Sequence, residues 1–451
     1  MFATLMFSAA AIAGSAVAQT PASSASQPAG AAATQPAAVT AQLPPDWPAG
    51  VKPFSLAAPT MTDDWFGLGP VMRDVGISPK FFWNSHYFSV LKGGRSTDSG
   101  KHSATYDFLL ALDFEKMRLI KGGDVLLHVR QQWGRSVNPW VGPPAGGRKR
   151  TVAQQVNDDA DYDETMYIDQ FWYRQHFLER KLALQIGYLD YQTIVDHNLY
   201  ANSEDKQFMN EALDNNPLVP TASAAGLGAA LYVKPCEAYT LILGAGDAQR
   251  LPLYKPGFST TFHDEAWFLG YMEHDLHIKI PTRRGPLPGN YRFGMIYDPN
   301  PRNVFVRPRA PARTRGNDYG FYTSFDQMLF REAPEDSQGL GAFFRYAYRH
   351  DDVFRQNQFW SSGLAYTGLL PERDKDVVGF AIAQLVHSSR YKSRVNCDAG
   401  NETIFELYYA IQVTPWLVLT PDIQYIDSPG GQDDDDISHA IAGGFKVRMT
   451  F

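Results

Sequence analysis

The sequence predicts an all-β chain: a transmembrane antiparallel β-barrel of about sixteen strands, with short periplasmic turns and long outer loops. Three observations carry this. From His439 to Phe451 the residues alternate. Ile441, Phe445, Val447, Met449 and Phe451 fall on one face, and Ala442, Gly444, Lys446, Arg448 and Thr450 on the other. A period of two is a strand with two environments, and lipid outside with a wet lumen inside supplies both. Segments of this kind recur from about residue 80, and the connections between them alternate between short and long.

Bulk properties fit and exclude. The chain has 451 residues, 13% aromatic and 20% charged, with 23 Tyr and 28 Phe. Mean hydropathy is −0.30, and no apolar run approaches the ~20 residues of a spanning helix. Aromatic-rich, mildly polar strands suit a barrel with interfacial girdles; a soluble β-sandwich or propeller shares that composition. The net charge of −7 and the lack of a basic stripe exclude a nucleic-acid partner.

In chain order, residues 1–18 read as a signal peptide. Leu5 to Val17 is apolar and small, and Ala16-Val17-Ala18 is a small-x-small cleavage pattern. No Lys or Arg precedes that run, which leaves open a start upstream of Met1. Residues 19–46, rich in Ala, Pro, Ser and Thr, read as a disordered tether. Residues 47–78 form an N-terminal periplasmic segment. Within it, 64–77 hold a short amphipathic helix with Pro70 near its start. Trp65, Phe66, Leu68, Val71, Met72 and Val75 would pack it on the periplasmic mouth, as a plug or as a capping turn.

The barrel occupies 79–451. Its strands are expected at 80–91, 103–114, 124–134, 166–178, 181–191, 225–234, 238–249, 265–279, 290–299, 318–330, 339–350, 359–370, 376–387, 403–413, 417–427 and 439–451. Turns such as Leu178-Glu179-Arg180-Lys181 and Val413-Thr414-Pro415-Trp416 are short, whereas 135–165, 192–224, 250–264, 300–317 and 388–402 are long. Blades of 40–45 residues, as in a propeller, do not recur. Cys236 falls on a turn and Cys397 in an outer loop. They are separated by a wall ~25 Å tall, so two free thiols are expected.

Several stretches resemble one family. They are Asp64-Trp65-Phe66-Gly67-Leu68 with Asp74-Val75-Gly76-Ile77, then Leu112-Asp113-Phe114-Glu115-Lys116 before Gly122-Gly123. Gln207-Phe208-Met209-Asn210, Gly339 to Tyr346, Ser362 to Gly368, and Glu406 through Gly431 follow. In this order they are similar to the carbohydrate-selective porins, the OprB-like outer-membrane channels, from about residue 64 to 451. The resemblance implies a sixteen-stranded channel for passive uptake of small carbohydrates such as monosaccharides, in the bacterial outer membrane and without a cofactor.

Such a lumen wants acid–base pairs for sugar hydroxyls, aromatics for ring faces, and binding weak enough to release. The candidates on lumen faces are Arg130, Arg345, Glu406, Lys446 and Arg448, with Asp107, Asp113 and Asp422 as counter-charges. Each either contacts solute or merely solvates the wall. Trp133, Trp140 and Trp172 form a sugar slide or else an interfacial girdle. Loops 135–165 and 192–224 are long enough for one to fold inward. The first carries basic Arg148-Lys149-Arg150 and acidic Asp158-Asp159, Asp161 and Asp163-Glu164. Asp433 to Asp436 is either hydrated loop charge or a cation bridge to lipopolysaccharide.

No catalytic or metal motif is found. His274 and His277 fall on opposite strand faces. The expected partners are small carbohydrates, outer-membrane lipid and lipopolysaccharide, with a homo-oligomer left open. The competing readings are a general or ion-selective porin, an outer-membrane barrel enzyme such as a lipase, and a secreted carbohydrate-binding protein.

Overall fold

The C-terminal alternation closes a barrel. The computed structural model describes residues 55–142, 154–157, 166–219, 225–248, 267–306, 309–334, 336–395, 400–431 and 437–451. The sheet begins with β1 (Ile77–Gly93), β2 (Lys101–Asp113), β3 (Gly123–Gly134), β4 (Met166–Phe177), β5 (Leu182–Asp190), β6 (Ala225–Cys236), β7 (Tyr239–Asp247), β8 (Phe268–Ile280) and β9 (Leu287–Asp298). A two-residue pair, β10 (Arg302–Asn303) and β11 (Thr314–Arg315), lies apart in a loop. The wall resumes with β12 (Asp318–Arg331), β13 (Gly339–Tyr348), β14 (Gln356–Thr367), β15 (Val377–His387), β16 (Glu402–Thr414), β17 (Leu417–Asp427) and β18 (His439–Thr450).

Sixteen antiparallel strands thus form one closed ring, sealed where β1 meets β18 in the register Phe82↔Thr450 to Gly93↔Ala440. Every strand expected from periodicity is present, with ends shifted by a few residues. Closure leaves no strand edge unpaired. Among the described residues no helix is long and apolar enough to cross a membrane.

Side chains sort by face. Phe171, Phe293, Phe321, Leu364, Phe380, Leu407 and Phe445 project outward and are exposed on the isolated chain. A belt of this size has no place in water and needs lipid. Tyr87, Tyr106, Tyr319 and Tyr425 are also exposed, as amphipathic rings are at a membrane interface. Inward positions instead carry Asn84, Asp107, Arg292, Arg345, Glu406 and Lys446, all buried.

The interior is not an empty tube. The connection between β5 and β6 turns inward and builds a core against one side of the wall. Phe208, Met209, Ala212 and Leu213 from it are fully buried, with Phe208 packed on Phe343 and edge-on to Tyr408 at 4.9 Å. Each such burial contributes about 1.5–3 kcal/mol. The wall is cut back to receive the loop: a Cβ on Gly341 would lie 1.9 Å from the Tyr200 ring, and one on Gly246 2.0 Å from the Tyr191 hydroxyl. Residues 154–157 of the β3–β4 connection also reach inside. Val156 is fully buried, and its carbonyl accepts from the Gln424 amide at 2.8 Å. Described residues of both the β3–β4 and the β5–β6 connections therefore lie inside, where the sequence suggested one loop.

At the turn side, the N-terminal segment caps the rim. The Trp65 indole N–H donates to the Pro79 carbonyl at 3.2 Å, and the Met61 N–H to the Thr450 carbonyl at 2.8 Å. Arg73 pairs with Asp64 at 2.6 Å. Phe66, Leu68, Val71 and Val75 are exposed rather than packed, which corrects the expectation that they dock on the mouth. The helix Gly69–Asp74 is too short to bury both faces. Cys236 is a free, exposed thiol at the turn side; Cys397 lies outside the described residues, as do residues 1–54, Arg148 to Arg150, Asp158 to Glu164 and Asp433 to Asp436.

Candidate functional site

The site is the space that the inward loop leaves open. The loop runs through a one-turn helix at Tyr191–Thr193 and a second at Glu211–Asp214, whose first turn is capped by Asn210. Its backbone N–H and C=O groups lie inside the barrel and need partners there. The wall supplies them with charged side chains.

Arg345, on β13, is completely buried. Its guanidinium donates to the carbonyls of Leu213 (3.1 Å), Asp214 (3.3 Å), Asp196 (3.3 Å) and Ala201, and to the Asn202 side chain at 2.6 Å. The Asp196 carboxylate lies 3.4 Å away. Glu406, on β16, accepts the N–H groups of Met209 (2.6 Å) and Asn210 (3.0 Å). Lys446, on β18, donates to the carbonyls of Glu204 and Gln207. Glu273, on β8, accepts the Asp196 N–H at 2.7 Å.

Arg345, Glu406 and Lys446 thus face the lumen side of the wall but are buried beneath the loop. Asp422 lies in the same layer and accepts from Gln424 at 3.1 Å. For these four, which line neither cavity along β1–β4, the expectation of pore-lining contact is corrected. A charge inside a barrel is costly unless it is paired, and loop carbonyls and amides are the nearest partners.

Arg130, Asp107 and Arg448 sit differently. Arg130 contacts Asp107 at 3.1 Å across the β2–β3 pair and Glu204 of the loop at 2.6 Å. Asp107 also meets His128, which contacts Asp169 from its other ring nitrogen, both at 2.8 Å. Arg448 pairs with Asp205 and lies over the Phe82 ring, 4.8 Å from its centroid. Burial raises the Asp205 carboxyl, but the Arg448 charge, Lys206 and the Ser203 hydroxyl outweigh it and hold the pKa at about 2.

Arg130, Asp107, His128, Asp169, Glu204, Asp205 and Phe82 border a cavity of about 190 Å³, completed by Asp190, Gln192, Asn202 and Asp214; Arg448 contacts two of them, Asp205 and Phe82. Below it, toward the turn side, a second cavity of about 430 Å³ is lined by Lys80, Leu109, Leu126, Trp172 and Arg174, with Arg73 at the rim. The two follow one another on the same strands: Phe82 then Lys80 on β1, Asp107 then Leu109 on β2, His128 then Leu126 on β3, Asp169 then Trp172 on β4.

Trp172 is an inward aromatic, with Arg174 stacked 4.9 Å from its ring centroid. Trp133 lies on the opposite strand face from buried Gln132 and packs edge-on to His102 at 5.0 Å. It belongs to the outer surface, so its placement in a lumen slide is corrected. Trp140 sits in the β3–β4 loop beneath the Lys101 ammonium. Asp113 is at the turn-side rim, where it accepts the N–H groups of Glu115 and Lys116 at 3.0 Å each. It caps a turn there and also lines the larger cavity, together with Arg73, Lys116 and Arg180.

The sequence reading missed Phe82, His128, Asp169, Glu204 and Asp205. His128 shares the inward face of β3 with Arg130 and was legible in the alternation. Glu204 and Asp205 depended on a loop path that no periodicity encodes. Among the described residues no group of three His, Cys, Asp or Glu side chains could hold a metal ion. His274 contacts the outward Tyr239, whereas His277 contacts Thr240 and Asn290.

Residues 99–451 match the family model described as "Carbohydrate-selective porin, OprB family". The chain is 23% identical over 441 residues to Porin B of Pseudomonas aeruginosa, covering 88% of this chain and 92% of that protein. It is 26% identical over 280 residues to Porin AaxA of Chlamydia trachomatis serovar A, covering 62% and 54%. The high-pH structure of Pseudomonas putida OprB superposes with a TM-score of 0.79 at 20% identity, covering 89% of this chain and all of that one. Its low-pH structure gives 0.54 at 19% identity, covering 88% and all. With a closed sixteen-stranded wall, a lipid-facing belt and a family match over most of its length, the chain belongs to the carbohydrate-selective OprB family of outer-membrane porins.

Proposed function

We infer that small neutral carbohydrates, of monosaccharide size, cross the outer membrane through this protein along β1–β4, passing first the charged cavity and then Trp172. The reading rests on one observation: the inward loop narrows the lumen to a zone of paired acids and bases, and an aromatic ring with apolar neighbours stands directly beneath it. Arg130 with Asp107 and Glu204, and Arg448 with Asp205, offer fixed donors and acceptors for hydroxyls. Phe82 and Trp172 offer flat apolar faces for a pyranose ring. A solute that exchanges water for these groups in two weak steps is recruited and released without energy input. Arg130, Asp107, Phe82 and Trp172 are the contacts, Arg448 steadies Asp205 and Phe82 beside them, and Arg345, Glu406 and Lys446 hold the loop that presents them.

Single-channel conductance in a planar bilayer, with glucose titrated into the bath, tests this. Saturable closure by glucose is expected. Steps indifferent to every sugar tested would leave a porin without a sugar site.

The lining of the upper cavity favours a second reading. Asp107, Asp169, Asp190, Glu204, Asp205 and Asp214 face Arg130 and His128 there, and such an acid excess draws cations. A reversal potential set by the cation in a salt gradient, together with no block by sugar, would support an ion-selective pore instead.

A further inference from the structure

The net charge of −7 is unevenly spread. The connection between β9 and β12, residues 300–317, contains five arginines and no acid, and Ser389–Val395 of the β15–β16 connection contains Arg390, Lys392 and Arg394 and no acid. Both lie on the side of the long loops, which is the outer face of the membrane.

They meet over a pocket of about 490 Å³. Among the described residues its charged lining is cationic, from Arg313, Arg390 and Arg394, with Ser389 and Ser393 beside them and an apolar floor that includes Phe305. The pocket is built rather than loose. β10 pairs with β11, and the Phe305 N–H donates to the Asp352 carbonyl at 2.7 Å. Arg315 pairs with Asp352 at 2.8 Å, and Phe305 packs edge-on to Tyr391 at 5.3 Å. Arg394 lies over the Phe305 ring at 5.7 Å, and Arg390 approaches Asp351 at 3.4 Å from an exposed position.

Neutral sugars do not need three guanidinium groups and no lining carboxylate; phosphate oxygens do. Arginine forks match phosphate geometry, and charge-assisted bonds of this type are about twice as strong as neutral ones. An aromatic floor fits the apolar face of a hexose that carries the phosphate. We propose that this outer pocket binds a phosphate group borne on a glycan, at a site separate from the lumen. Two sources present that chemistry at the outer face: the phosphorylated headgroup of lipopolysaccharide and a soluble sugar phosphate. The inference rests on the outer-membrane orientation and is independent of whether glucose binds in the lumen.

The test uses the folded full chain in non-ionic detergent. It is titrated with lipopolysaccharide, with the same lipopolysaccharide after enzymatic dephosphorylation, and with glucose 6-phosphate. Native lipopolysaccharide is expected to bind, with affinity falling as salt rises. Dephosphorylation and the R313Q/R390Q/R394Q variant should each weaken it at least about tenfold. Glucose 6-phosphate binding that the same variant weakens would assign the site to soluble phosphates as well; its failure beside intact lipopolysaccharide binding would assign it to the lipid. Equal binding of native and dephosphorylated lipopolysaccharide, binding unchanged in the variant, or binding of neither phosphate ligand would overturn the proposal. Single-channel conductance of the same variant should be unchanged, which shows a folded pore and separates this site from the lumen.

Discussion

Two sides of the same wall do opposite work. Along β12–β18 inward side chains are consumed by the loop: Arg345, Glu406, Gln424 and Lys446 bind its backbone and side chains, while Phe343 and Tyr408 pack its apolar residues. Along the turn-side part of β1–β4, from Phe82 and Asp107 downward, they border open space, and the loop touches them through Arg130 and Glu204. The same residue types therefore carry different meanings. A buried arginine on β13 satisfies carbonyls and fixes a shape, whereas a partly exposed one on β3 stays within reach of a solute. Inward polarity in a barrel identifies the lumen side but not the path through it.

The largest effect should come from breaking the clamped side. Arg345→Met leaves several buried carbonyls without their donor and removes the cation beside Asp196, at a cost of about 3–5 kcal/mol. Single-channel conductance should rise severalfold and glucose block should weaken as the loop leaves the wall. Unchanged conductance would show that the apolar contacts of Phe208 and Leu213 suffice to hold it.

An intermediate effect should come from lowering pH at the junction between the two sides. The Asp205 carboxyl is held at about 2, below the usual carboxylate range. A depressed folded value means that its stabilisation of the docked loop is complete above about pH 4 and is lost as pH falls toward 2. The amount is about 2 kcal/mol. Current noise should therefore increase between pH 4 and pH 2, and Asp205→Asn should remove that pH dependence. Noise that rises identically in the variant would place the titrating group elsewhere.

The smallest effect separates the two faces of the open side. Trp172→Ala should raise the glucose half-saturation roughly fivefold, which is about 1 kcal/mol. Trp133→Ala, on the outer surface, should leave it unchanged. Equal shifts in both would contradict the placement of the path along β1–β4.

The sequence by itself determined the wall. Strand periodicity depends on residues two apart, and a barrel facing lipid and water writes that period into each strand, as in Ile441 to Phe451. Turn lengths then set which end is which, so strand count, order and facing were legible without tertiary information. The contents of the lumen were decided elsewhere. Whether Lys446 meets a solute or the Glu204 carbonyl depends on where residues 191–219 travel. That path is fixed by contacts spanning more than a hundred residues, such as Arg345 with Asn202 and Glu406 with Met209. No local pattern encodes such pairs, because the energy that selects them arises only after the barrel has closed around the loop.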